Sequence, residues 1–141
     1  MRLQHAEPSI WSVAECQHLL ALLVSGTGTG TGGWQTLRHT AHATTDMPAA
    51  DLPAVEYQRL VEQIQERLFP KLNAHYGYDP ADWVYSFRDL FFVKYEAENG
   101  EQTGLAMHAD GSLLSFNVLL NPPAQFTGGG QYHVLGHVNC A

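Results

Sequence analysis

Along this chain the spacing of apolar residues changes period, and the change limits the folds open to it. Val55, Leu60, Val61, Ile64 and Leu68 recur at three- and four-residue spacing, which gathers them on one face of a helix. Asp51-Leu52-Pro53 marks the start of that helix, which runs to about residue 75 with Pro70 as a kink or break. An earlier helix, from about 13 to 25, is announced by Ser12, with Glu15 three residues on completing a capping box. From Asp89 onward the pattern belongs to strands. Leu90-Phe91-Phe92-Val93-Lys94-Tyr95 is rich in aromatic and β-branched residues, and 113–120 alternates apolar with polar. Between these two lies a polar turn over 96–104. Pro122-Pro123 closes the second strand, and Gly128-Gly129-Gly130 precedes a short last one at about 131–135. Helices first and strands second predict an α+β fold, with N-terminal helices packed on one face of a mostly antiparallel sheet.

At 141 residues, 45% of them hydrophobic, the chain is long enough for one real core and is expected to form a single domain. Residues 1–84 read as a helical support region and 85–141 as strands. The Gly/Thr-rich stretch 25–33 reads as a surface loop; it lacks the Lys-Ser/Thr that ends a phosphate-binding loop, so a nucleotide site is not expected there. With a net charge of −7 and only seven scattered Lys and Arg, the basic footprint that nucleic acid requires is missing. Cys16 and Cys140 are far apart, form no CxxC pair and stand in no nucleophile arrangement, which points to a reducing compartment. His39-x-x-His42 has no third or fourth ligand beside it and reads as a pair of loop histidines, while His18 and His75 read as surface residues on helices. The sequence shows no apolar leader and no apolar run of membrane-spanning length, so the expectation is a soluble protein, cytoplasmic by default.

His108-Ala109-Asp110 is the pattern that carries chemistry. Residues i and i+2 of an extended chain share a face, so an imidazole and a carboxylate can converge on one ion. Two histidines and one carboxylate on one side of an octahedral metal leave three positions open for a chelating co-substrate and O₂. The pair alone is weak, since an HxD arises by chance in about four chains in ten of this composition. Its plain alternative is a histidine beside a turn aspartate.

The surrounding blocks lift it. Phe92-Val93-Lys94-Tyr95, then 105–112 with His108 and Asp110, then Leu114-Ser115-Phe116-Asn117-Val118-Leu119-Leu120-Asn121, then Phe126-Thr127-Gly128-Gly129-Gly130 together resemble the first half of the catalytic core of the prolyl 4-hydroxylase and lysyl hydroxylase superfamily. Upstream, Glu15-Cys16, Trp34 with Arg38-His39, and Thr44-Thr45-Asp46-Met47-Pro48 are similar to N-terminal features of such proteins. The resemblance implies the first half of a double-stranded β-helix, a jelly-roll or cupin-like fold. It implies an Fe(II)- and 2-oxoglutarate-dependent dioxygenase that hydroxylates a peptidyl side chain or a small molecule, releases succinate and CO₂, and takes ascorbate as reductant. His108 and Asp110 would be iron ligands, and Tyr95 and Asn117 would contact the co-substrate.

That family places its second iron-binding histidine, and a basic residue for the distal carboxylate of 2-oxoglutarate, later in the core. Here only His133 and His137 follow Asp110, both directly after the glycine turn, and no Lys or Arg follows Lys94. The resemblance therefore implies a C-terminally truncated domain whose first core strands lack their later partners, leaving open edges. The alternative to an enzyme is a non-catalytic relative or interaction module with a weak metal site.

Overall fold

The computed structural model describes residues 9–25, 33–39, 41, 43–96, 103–106, 108 and 110–128. Within them the element order is helix α1 (Val13–Ser25), strand β1 (Thr45–Pro48), a 3-10 turn (Ala49–Asp51), helix α2 (Ala54–Arg67), helix α3 (Phe69–Tyr76), strand β2 (Phe91–Lys94) and a second 3-10 turn (Pro123–Gln125). The protein is a mixed helix-and-sheet fold. Residues 26–32, His42, most of the 96–104 turn, the 131–135 strand expectation, His133, His137 and Cys140 lie outside the described residues.

Helix α1 starts where its capping box predicts. The Ser12 amide donates to Glu15 Oε2 at 2.8 Å, and the Glu15 amide donates back to Ser12 Oγ at 3.3 Å, so two amides at the helix start are satisfied reciprocally. The long helical run is divided at Leu68. Pro70, at the start of α3, has no amide and its ring crowds the carbonyl one turn back, so a continuous helix is replaced by two. Helix α3 ends on Gly77, whose φ of 71° is the left-handed closure that glycine adopts without a Cβ penalty.

The core gathers Trp11, Leu19 and Leu23 with Met47, Ala49 and Leu52 and with Leu60, Ile64 and Leu68. One residue fixes how α1 meets α2. The same Glu15 carboxylate that caps α1 accepts Arg67 Nη2 at 2.9 Å and Gln63 Nε2 at 3.1 Å, while Trp11 Nε1 donates to Gln63 Oε1 at 2.8 Å. The helix start is thereby tied to the partner helix.

The sheet has two strands, β1 and β2, antiparallel, with Thr45 opposite Lys94 and Pro48 opposite Phe91. On the far side of β1 the Gln35 and Asp46 backbones exchange hydrogen bonds of 2.8 and 2.9 Å. The partner of 91–94 is thus 45–48, a segment not read as a strand. The expectation for residues 113–120 is corrected. They carry no strand ladder in the structure, although the two-residue alternation holds, with Leu114, Phe116, Val118 and Leu120 half-buried and Leu113, Ser115, Asn117 and Leu119 exposed. Phe116, Val118 and Leu120 pack on the core, so the apolar face was correctly assigned and the backbone partner was not.

Candidate functional site

The segment 85–90 is fastened to the rest of the fold and carries Arg88, which reaches the turn after Asp110. The Tyr85 ring packs tilted on Phe69, centroids 4.4 Å apart, and its hydroxyl donates to Asn73 Oδ1 at 2.6 Å, while the Phe87 ring centroid lies 5.9 Å from that of Phe69. Asp89 accepts Arg38 Nη2 through both oxygens, at 3.0 and 2.9 Å. Arg38 also donates to Asp46 Oδ1 at 2.6 Å, and Thr44 Oγ1 donates to the other Asp46 oxygen. Asp46 is completely buried, so its charge must be met inside the protein, and Arg38 and Thr44 meet it. Desolvation works to lower the Arg38 pKa, and its hydrogen bonds to Asp46 and Asp89 outweigh that and raise it. The His39 ring packs on Phe91 at 4.9 Å. Its Nε2 is buried without a hydrogen-bond partner, 3.7 Å from Asp46 and 3.6 Å from Asp89.

From this anchored segment Arg88 reaches across to donate to the carbonyl of Gly111, the residue after Asp110. In the same turn, His108 Nδ1 lies 2.9 Å from the Ala106 carbonyl and His108 Nε2 lies 3.3 Å from Asp110 Oδ1. The first contact decides what the second can be. A carbonyl only accepts, so Nδ1 carries the proton, and in a neutral ring Nε2 then presents a lone pair. That lone pair faces a carboxylate oxygen, and two acceptors at this distance need a cation between them: either a proton, giving an ion pair, or a metal ion.

The donor spacing fits a metal. Two cis ligands on an octahedral ion with bonds of about 2.1 Å stand about 3 Å apart, close to the 3.3 Å between His108 Nε2 and Asp110 Oδ1. A ring whose other nitrogen is held by a backbone carbonyl is the usual support of a ligating histidine. Among the described residues no third His, Cys, Asp or Glu joins the pair in a metal-holding group.

Tyr95 directly follows β2 and is half exposed. By strand alternation it shares the face of Phe91 and Val93, opposite the one through which Leu90 and Phe92 pack on the core. Partial burial raises its phenol pKa further above neutrality, where a phenol is in any case a hydrogen-bond donor. Asn117 is exposed on the polar side of 113–120. The structure thus brings His108 and Asp110 together, and sets Tyr95 and Asn117 on surfaces turned away from the core. Sequence reasoning missed Arg88 and the Ala106 carbonyl. The only hint was a glycine immediately after Asp110, a residue type that permits close approach.

Comparison with known proteins returns nothing. No family profile, curated protein or solved structure matches the chain. No helix among the described residues is long and apolar enough to cross a membrane.

Proposed function

We propose that the protein is an Fe(II)- and 2-oxoglutarate-dependent dioxygenase of the prolyl/lysyl hydroxylase type, acting on a peptidyl side chain or a small molecule. One observation carries the reading: His108 Nε2 and Asp110 Oδ1 stand 3.3 Å apart, close to cis-ligand spacing, with Nδ1 already engaged by the Ala106 carbonyl. The order of the sequence blocks around the pair supports the same reading, as does the two-residue alternation of 113–120.

His108 and Asp110 would hold the metal through Nε2 and Oδ1. When bound, Fe(II) supplies oxidative decarboxylation of 2-oxoglutarate to succinate and CO₂ coupled to hydroxylation of a C–H bond. The protein's own part is placement. The Ala106 carbonyl sets the imidazole tautomer and ring direction. Tyr95, kept protonated, offers a phenolic donor to a co-substrate carboxylate, and Asn117 offers an amide able to donate and accept. A second reading is a non-catalytic relative or interaction module with a weak metal site.

Anaerobic addition of Fe(II) and 2-oxoglutarate separates the two. The expected result is a visible charge-transfer band that is lost in His108→Ala and in Asp110→Ala, with succinate formed on admitting O₂. A wild-type protein without the band, or a band that persists in His108→Ala, overturns the iron assignment. A band without succinate selects the non-catalytic reading.

A further inference from the structure

We infer that Arg88 is a positioning residue for the His108–Asp110 pair, and that Gly111 is its socket. The inference rests on the proposed metal site for its purpose, and on geometry for its existence.

Three observations converge. The Arg88 guanidinium donates to the Gly111 carbonyl across 23 positions of sequence, so it holds the turn that immediately follows Asp110. A Cβ built on Gly111 would meet that guanidinium, so an alanine at 111 would push the end of the Arg88 side chain out of its present position. Arg88 is itself held from both sides. Phe87 packs on the core, and Asp89 makes a two-oxygen contact with Arg38, which is fastened to the buried Asp46. A continuous path therefore runs from the buried Asp46 of β1 through Arg38 and Asp89, and along the backbone to Arg88, to the exposed turn that follows Asp110.

The turn has need of such a tie. Residues 110–113 are exposed, and Asp110 is half open to solvent. A charged donor on a backbone carbonyl is worth more than a neutral one. Among the described residues no carboxylate competes for Arg88, whereas Arg38 and Arg67 are both bound to acids. Holding the Gly111 carbonyl restrains the backbone one residue beyond Asp110, and so narrows the positions from which the Asp110 side chain can reach His108. Supporting contacts of this kind commonly change metal affinity by about 10- to 100-fold.

The test uses the full chain with Arg88→Gln, Gly111→Ala, the double variant, and Arg88→Lys as a conservative rescue. Two readouts are taken: backbone order parameters from amide nitrogen relaxation without metal, and affinity for Co(II) as the probe ion. Arg88→Gln and Gly111→Ala are each expected to lower the order parameters across 110–113 while leaving β1 and β2 unchanged. The double variant should be no worse than either single one, because both remove the same contact. Co(II) affinity should fall about tenfold in each, with Arg88→Lys recovering part of it. Unchanged order parameters across 110–113, strictly additive effects, or loosening throughout the sheet overturns the inference. So does loosening of 110–113 with unaltered Co(II) affinity. If wild-type protein binds no Co(II), the positioning role falls with the metal site, while loosening confined to 110–113 in the variants still establishes the Arg88–Gly111 contact and locates the failure in the proposed function.

Discussion

Replacing Asp46 with asparagine tests whether the Arg38 network holds this fold together. The change keeps the shape and one acceptor, removes the charge and turns the second acceptor into a donor, at a side chain with no exposed surface. Asp46 accepts from Arg38 at 2.6 Å and from Thr44. Removing one partner of a buried ion pair costs about 3–5 kcal/mol when the other is stranded. Here Arg38 is not stranded: its side chain is 21% exposed and keeps both Asp89 oxygens. The expected loss is accordingly lower, about 2–3 kcal/mol, the range of a hydrogen bond to a charged group. At this chain length that corresponds to a melting shift of roughly 6–12 °C. Urea unfolding followed by tryptophan fluorescence would measure it, with the buried Trp11 as reporter. Asp89→Asn is the control, because Asp89 is 37% exposed and its pair should contribute about 1 kcal/mol or less. If Asp46→Asn costs under about 1 kcal/mol, or no more than Asp89→Asn, the buried-charge reasoning is wrong.

Three further outcomes follow from particular contacts. Glu15 has its pKa lowered from 4.5 to about 2, first by the Arg67 hydrogen bond and then by those from Ser12. A depressed carboxylate stabilises the fold above its unfolded pKa and loses that contribution as pH falls through the folded one. The melting-temperature gap between wild type and Glu15→Gln should therefore be full at pH 6 and should close between about pH 4.5 and pH 2. The Cys16 thiol is pushed up first by burial and then by the Glu15 charge, so at pH 8 iodoacetamide should label the Cys16 peptide more slowly than an unfolded control; equal rates would contradict the burial. Gly77→Ala must hold an alanine at φ 71° and should cost about 1 kcal/mol in chemical denaturation, with no loss expected at the exposed Ala74 changed to serine beyond a few tenths.

The sequence announced some of this and concealed the rest for physical reasons. Helix α1 was legible because its signal is local: Ser12 and Glu15 stand three apart and answer each other directly. Strand β1 was not, because Thr45-Asp46-Met47-Pro48 contains two residue types that strands avoid, and it becomes a strand through a buried aspartate meeting Arg38 and through Phe91–Lys94 alongside. The sidedness of 113–120 could be read from its alternation, whereas ladder pairing depends on a second segment and leaves no mark in the first. At the candidate site the two-residue spacing of His108 and Asp110 predicted their convergence. The Arg88 contact spans 23 positions and has no local signature beyond the glycine it needs.

Glu15 also says something about the order in which the fold can assemble. Its contact with Ser12 closes a loop of three residues, and its contact with Arg67 closes one of 52. The longer closure costs about 2.5 kcal/mol more in chain entropy. The cap can therefore form first, while α1 is still searching for α2, and it holds the carboxylate in one direction before Arg67 arrives. Much of the rotamer freedom that docking would have to remove has then already been spent on the helix start. The two helices meet over a receptor prepared in advance, and removing Ser12 should slow refolding through a contact in which Ser12 takes no direct part.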